Sequence, residues 1–353
     1  MLNELTRYRE PVKECLDRFL SERAAEMGEV NEWGEDVCRR MQHFATRGKM
    51  IRGCLVMFAN SLFKGEMDPD AAIAGAAMEM FQASFLIHDD IMDGDVLRRG
   101  EPTVFEQYAR LGREKAIYEP RRFGESIGIC AGDMTFFFGF QILTEMSCRS
   151  ELKNGIVNRC YREIASTCVA QMQDVALGMG AEASSEAAVL KLYRHKTGRY
   201  TFSLPMILGA MLAEQKPPVL QTLETIGDQM GVIFQMKDDE LGLFGSEEMI
   251  GKPVGSDLRE NKQTILRILL EEAATSEQRQ KMDSIFGQPD LKMSDIEWMR
   301  RFAIESGVRK EIEKRVRRLA DHVRERIEKL TDLRPEKRRQ MLELLEYNLN
   351  RNA

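Results

Sequence analysis

Apolar residues crowd two stretches of this chain so densely that little face is left for water. Residues 71–88 run Ala-Ala-Ile-Ala-Gly-Ala-Ala-Met-Glu-Met-Phe-Gln-Ala-Ser-Phe-Leu-Ile-His, interrupted by Glu79, Gln82 and Ser84, and residues 127–145 carry Asp133 inside a similar run. Helices apolar nearly all round belong at the centre of a bundle. The polar interruptions favour buried core helices over membrane spans. The first run predicts a helix over 69–94, and a further apolar run predicts one over 219–241. Around them the pattern predicts helices over 1–27, 34–45, 104–112, 124–147, 152–179, 185–197 and 202–213. From 308 to 330, Ile312, Val316, Leu319, Val323, Ile327 and Leu330 recur at spacings of three and four, a helix stripe with a charged outer face. A last helix starts at Pro335, and residues 113–123 have no period and read as a loop.

The two central helices end alike. The first runs into His88-Asp-Asp-Ile-Met-Asp93 and closes on Arg98-Arg-Gly100; the second runs into Lys237-Asp-Asp-Glu-Leu-Gly242. Asp89 and Asp93 are i and i+4, on one helix face, with Asp90 within one turn of Asp93. A buried helix that ends in carboxylates must open into a wet cavity, because unpaired buried charge is too costly. Crowded carboxylates raise one another's proton affinity unless a cation sits among them. Hard oxygen donors without His or Cys suit Mg²⁺, which takes substrate phosphates as its remaining ligands. Two such clusters, Asp89/Asp90/Asp93 and Asp238/Asp239, invite a shared diphosphate bridged by several ions. Arg98 and Arg99 offer planar forks for phosphate oxygens. Lys49 and Arg52, three apart after Gly48, share one side of a helix start. A glycine-punctuated loop from Gly245 to Gly255 carries Lys252; Asp257 can cap the next helix, with Lys262 in its early turns.

Composition narrows the classes. The 353 residues are 43% hydrophobic and 31% charged with 7% aromatic, as a helical soluble protein requires. A net charge of −6 does not recommend nucleic acid as a partner. Seven scattered cysteines without a C-x-x-C read as reduced thiols in a cytoplasmic protein. The charged N-terminus is not a signal peptide. None of His43, His88, His195 and His322 has a Glu three residues before it, so a di-iron carboxylate bundle fails.

Five ordered motifs now resemble one family, the trans-isoprenyl (polyprenyl) diphosphate synthases that include farnesyl and geranylgeranyl diphosphate synthases. Gly48-Lys-Met-Ile-Arg52 is similar to its G-K-x-x-R, and Asp89 to Asp93 with Arg98-Arg-Gly100 to its first aspartate-rich motif. Lys196-Thr-Gly198 is similar to K-T-G, Phe234 to Asp239 to the second aspartate-rich region, and Gly255-Ser-Asp-Leu with Lys262 to the segment that follows. The resemblance implies an all-α, single-domain helical bundle over 1–353 around a central cavity. It implies prenyl transfer from an allylic diphosphate to isopentenyl diphosphate with three Mg²⁺, in a homodimer. By resemblance Asp89, Asp93 and Asp238 are metal ligands supported by Asp90 and Asp239, and Gln171 and Asp174 face the metals. Arg98, Lys196 and Lys252 grip the allylic diphosphate. Lys49, Arg52, Arg99 and Gln82 hold the second diphosphate, and Thr197 and Gln235 steady the cation. Gly242 replaces a third aspartate, and Gln263 stands where many members carry a second lysine.

The helix before Asp89 is also a ruler, rising about 5.4 Å per turn, close to one isoprene unit. In short-chain members the fifth residue before the motif is often aromatic. Here it is Ser84 beside Phe85, with the bulky Phe81 and Met80 one turn deeper. That implies a floor one unit lower than in a farnesyl enzyme and a twenty-carbon product, geranylgeranyl diphosphate, with twenty-five or fifteen carbons as alternatives. A class I terpene cyclase would need an Asn/Asp…Ser/Thr…Glu metal motif late in the chain, and residues 238–245 do not supply one. A non-catalytic partner subunit would not keep both acid clusters.

Overall fold

The computed structural model describes residues 2–65, 67–181, 184–245 and 254–350. It divides into two units, one of Met1–Tyr161 with Pro205–Leu220, the other of Arg162–Leu204 with Gln221–Ala353.

In the first unit, α1 (Leu2–Gly28), α2 (Glu32–Thr46) and α3 (Ile51–Phe63) surround α4 (Pro69–Asp93), which also packs on α6 (Pro120–Leu143). α4 starts where the Asp68 side chain accepts the Asp70 N–H with Pro69 at the first turn, and stops at Gly94 (φ 71°). Its run of small residues lets neighbours approach closely. A Cβ on Gly75 would lie 2.9 Å from the Gly53 carbonyl oxygen of α3. On the α6 side, Gly132 lies under the His88 ring and Gly139 under the Phe81 ring. Ser84 Oγ donates to the Gly132 carbonyl at 2.7 Å. α4 is long and apolar enough to cross a membrane, but 78% of its most apolar stretch is buried, as in a core helix. α6 meets the same length and composition test, with 44% of its most apolar stretch buried.

After α4 comes a hairpin, β1 (Leu97–Arg98) with β2 (Glu101–Pro102), paired antiparallel and the only strands among the described residues. Its two-residue turn has Arg99 at φ 53° and Gly100 at φ 77°, the positive-φ pair that tight hairpins require. α5 (Val104–Glu114) follows. The stretch 113–123 is not one loop: α5 runs to Glu114 and α6 begins at Pro120, where proline is favoured in a first turn.

The second unit holds most of α7 (Ser150–Gly178), α8 (Glu186–Leu192) and most of α10 (Pro217–Phe244). Between α8 and α9 (Leu204–Leu212), residues Tyr193–Ser203 form a π-helix. The expected break near Gly198 is therefore absent. The chain stays helical with wider turns, a form often found at functional sites. Arg199 anchors this stretch to Glu163 of α7 at 2.6 Å, and to Glu224 and Asp228 of α10 at 2.5 and 3.5 Å. Gly198 lies so near α10 that a Cβ on Gly231 would sit 2.0 Å from its Cα. The remainder is α11 (Ser256–Arg259), α12 (Ile265–Ala273), α13 (Ser276–Asp283), α14 (Met293–Glu305), α15 (Val308–Glu328) and α16 (Pro335–Leu349). The predicted α15 stripe is buried at Ile312, Val316, Val323 and Ile327.

Candidate active site

In the first unit, basic residues gather around one buried acid. Met50 takes φ 50° and caps α3, so Lys49 precedes the helix and Arg52 lies in its first turn. Arg99, turned by the hairpin, brings its guanidinium against Gly48, where a Cβ would lie 2.8 Å from Nη2. Glu79 of α4 is 5% exposed and accepts the Gly53 N–H at 2.8 Å. Burial raises its pKa, while the Gly53 N–H and the charges of Arg52 and Arg99 pull it down. Gln82 is half-buried one turn further along α4. The motif reading had not singled out Glu79; its signal was a lone acid inside an all-apolar run.

Further along α4, Asp89 and Asp93 are half-buried and Asp90 is wholly buried. Arg98 binds Asp90, Nε to Oδ1 at 2.5 Å, and approaches Asp95 at 3.6 Å. The sequence reading assigned Arg98 to phosphate; the structure gives it a carboxylate partner two turns back in the chain. Burial pushes the Asp90 carboxyl up to about 7 against the opposing pull of Arg98, with Asp89 adding to the rise. Asp90 Oδ2 is buried without a hydrogen-bond partner. An orphaned carboxylate oxygen among oxygen-only donors fits a hard cation such as Mg²⁺.

The ruler residues lie toward α6. Ser84 is fully buried, and its hydroxyl is used by Gly132. Phe81 packs on Phe140 with ring centroids 4.8 Å apart, Phe85 meets Phe136 edge-on at 5.0 Å, and Met80 is fully buried.

The second unit builds its acid cluster with different partners. Asp238 is exposed and Asp239 buried. Tyr193 O–H donates to Asp239 Oδ2, Gln235 Nε2 donates to Asp239 Oδ1 at 2.9 Å, and Thr197 Oγ1 donates to Gln235 Oε1 at 2.8 Å. Burial, then Asp257, raises the Asp239 pKa, and the bonds from Tyr193 and Gln235 oppose the rise. Lys196 binds Asp174 of α7, with Gln171 one turn earlier.

Two features here escaped the sequence reading. Asp257 does not cap α11; Gly255 (φ 78°) does, without a side-chain bond. Instead Asp257 Oδ2 lies 2.9 Å from where a Cβ on Gly242 would be, so a carboxylate from α11 occupies space that a third side chain of the motif would need. Tyr193 is the other. Lys262 follows α11 and pairs with Glu260 at 2.6 Å, rather than lying in a helix turn. Lys252 lies outside the described residues.

Comparison with known proteins agrees with this chemistry. Residues 35–302 match the family model for polyprenyl synthetase. A short chain isoprenyl diphosphate synthase of Methanothermobacter thermautotrophicus is 32% identical over 267 residues, 73% of this chain and 74% of that one. A geranylgeranyl diphosphate synthase of Saccharolobus solfataricus is 30% identical over 72% of each chain, and a farnesyl diphosphate synthase of Bacillus subtilis 29% identical over 78% of this chain and 88% of its own. Among solved structures, a geranylgeranyl pyrophosphate synthase from Corynebacterium glutamicum, complexed with isoprenyl diphosphate and magnesium, superposes with a TM-score of 0.92 at 27% identity over 98% of this chain and 99% of that one.

Proposed function

We propose, from the premise that this chain belongs to the polyprenyl synthetase family, that it condenses isopentenyl diphosphate with an allylic diphosphate to make geranylgeranyl diphosphate. The supporting observation is the pair Arg52 and Arg99 beside buried Glu79, with Lys49 just before α3, a basic cluster apart from the acid cluster on the same helix. A cyclase, which ionises one diphosphate, has no use for it.

In this reading Asp89, Asp93, Asp238 and Asp174 would hold Mg²⁺, with Asp90 and Asp239 supporting them. When bound, Mg²⁺, three ions in this reading, neutralises the charge that develops on the leaving diphosphate. Lys49, Arg52, Arg99 and Gln82 hold isopentenyl diphosphate and keep its double bond in place. Arg98, Lys196 and Lys252 take the allylic diphosphate, and Arg98 also holds Asp90. As the allylic C–O bond breaks, Thr197 and Gln235 offer oxygen dipoles to the positive carbon. The double bond attacks that carbon, and the departing pyrophosphate takes the proton whose loss completes the new unit.

The twenty-carbon length rests on small Ser84 and on Phe81 and Met80 as the floor. The whole chain acts as one domain, as a cytoplasmic homodimer. Exposed Ile129 and Phe137 on α6 support association, and seven unbridged cysteines support a reducing compartment. The test incubates pure protein with Mg²⁺, labelled isopentenyl diphosphate and each allylic primer. A labelled twenty-carbon diphosphate is expected; no labelled prenyl product overturns the assignment, and another length overturns only the ruler.

A further inference from the structure

Thr197 and Gln235 can steady a cation only if their oxygens, not their protons, are presented to it. A hydroxyl rotates, and an amide can exchange its oxygen and nitrogen positions with almost no change of shape. Something must hold them the right way round, and the hydrogen bonds of the second unit trace that hold to one end. The Ile265 N–H at the start of α12 donates to the Tyr193 hydroxyl oxygen at 3.0 Å. A backbone N–H can only donate, so the Tyr193 proton must go elsewhere, and Asp239 Oδ2 takes it. The carboxylate is then held at both oxygens, Oδ2 by Tyr193 and Oδ1 by Gln235 Nε2. With its nitrogen committed to Asp239, Gln235 turns Oε1 to Thr197, which donates to it. The second lone pair of Oε1 and the lone pairs of Thr197 Oγ1 remain for a positive charge.

We propose that Tyr193 is a positioning residue for prenyl transfer, fixing through Asp239 the amide orientation of Gln235 and the direction of the Thr197 hydroxyl. The proposal rests on the cation role given above to Thr197 and Gln235. Tyr193 is suited to it. It is 4% exposed and sits in the π-helix one turn before Thr197, so the stretch that presents the hydroxyl also carries the anchor. Without the phenol, one oxygen of a buried carboxylate is unheld, and the Asp239 plane can turn away from Gln235.

Tyr193→Phe removes the hydroxyl and keeps the ring. In metal-free protein, hydrogen exchange at the Ile265 amide should quicken about tenfold in Tyr193→Phe and stay as in wild type in Thr197→Val. The Gln235 side-chain amide signals should move in both variants. In turnover, kcat should fall about tenfold to a hundredfold, with KM for both diphosphates within about twofold. Adding Tyr193→Phe to Thr197→Val should slow it no further, because the two residues act in one chain. Additive losses, a raised KM with unchanged kcat, or unmoved Gln235 signals would overturn the proposal. Should Tyr193→Phe not fold, Asp239→Asn must give the same kcat loss and the same Gln235 shift, or the proposal falls. If the wild-type protein makes no prenyl product, the functional reading fails, while the metal-free exchange and amide signals still decide the anchor.

Discussion

The two acid clusters use the same pair of letters and solve the same problem in different ways. In each, the first aspartate lies toward water and the second is buried: Asp89 with Asp90, Asp238 with Asp239. Asp90 is countered by a full charge, the Arg98 guanidinium. Asp239 is countered by neutral donors, Tyr193 and Gln235. Burial raises the pKa of both. The lesson is that an aspartate pair is a division of labour. In the proposed reading the outer carboxylate meets the cation, while the inner one ties the helix end to its unit.

That division can be broken by substitution. The largest effect belongs to the outer residues. Asp89→Ala and Asp238→Ala should each cut kcat about a thousandfold, since in the proposed reading several kcal/mol of charge stabilisation depends on ions held there. Their melting temperatures should stay near the wild-type value; a large drop in either would show that the outer carboxylates are structural too. The inner residues come next, and here the clusters should part. Asp90→Ala leaves a guanidinium that is 13% exposed with only the longer Asp95 contact and should cost about 3 kcal/mol in urea unfolding. Asp239→Ala strands only neutral donors and should cost about 1–2 kcal/mol. Equal losses would erase the distinction between ionic and neutral support. The smallest effect is expected at Glu79. Glu79→Gln keeps an acceptor for the Gly53 N–H but leaves Arg52 and Arg99 without their shared counter-charge. The variant should melt a few degrees lower when ligand-free and gain more than wild type from added isopentenyl diphosphate. A thermal-shift gain no larger than wild type would mean that Arg52 and Arg99 do not meet that diphosphate.

The central helix and the acid pairs were legible because both are local signals: an all-round apolar run, then charge. The π-helix was not, because Gly198 carries the ordinary signature of a helix stop, and what keeps the helix going is tertiary, the salt bridges of Arg199 and the contact with Gly231. The hairpin was hidden for a similar reason. Its turn is Arg99-Gly100, not the Asn-Gly that announces such turns, and Arg99 holds φ 53° against its own preference. Tyr193 and Asp239 lie 46 residues apart, beyond any local pattern. Asp257 was read as a cap because an acid at a helix start usually is one; the glycine at 242 gave it another place.

The contact between Gly198 and Gly231 works as a latch on helix register. At these two positions backbone meets backbone, and the neighbours of Gly231 along α10 are Met230 and Val232. Sliding α10 by one residue would drive one of those side chains into the π-helix. A slip of a whole turn would carry the aspartates about 5.4 Å along the axis. Seven residues separate the latch at Gly231 from Asp238, so a pair of missing side chains sets the depth at which the acid end of the helix comes to rest.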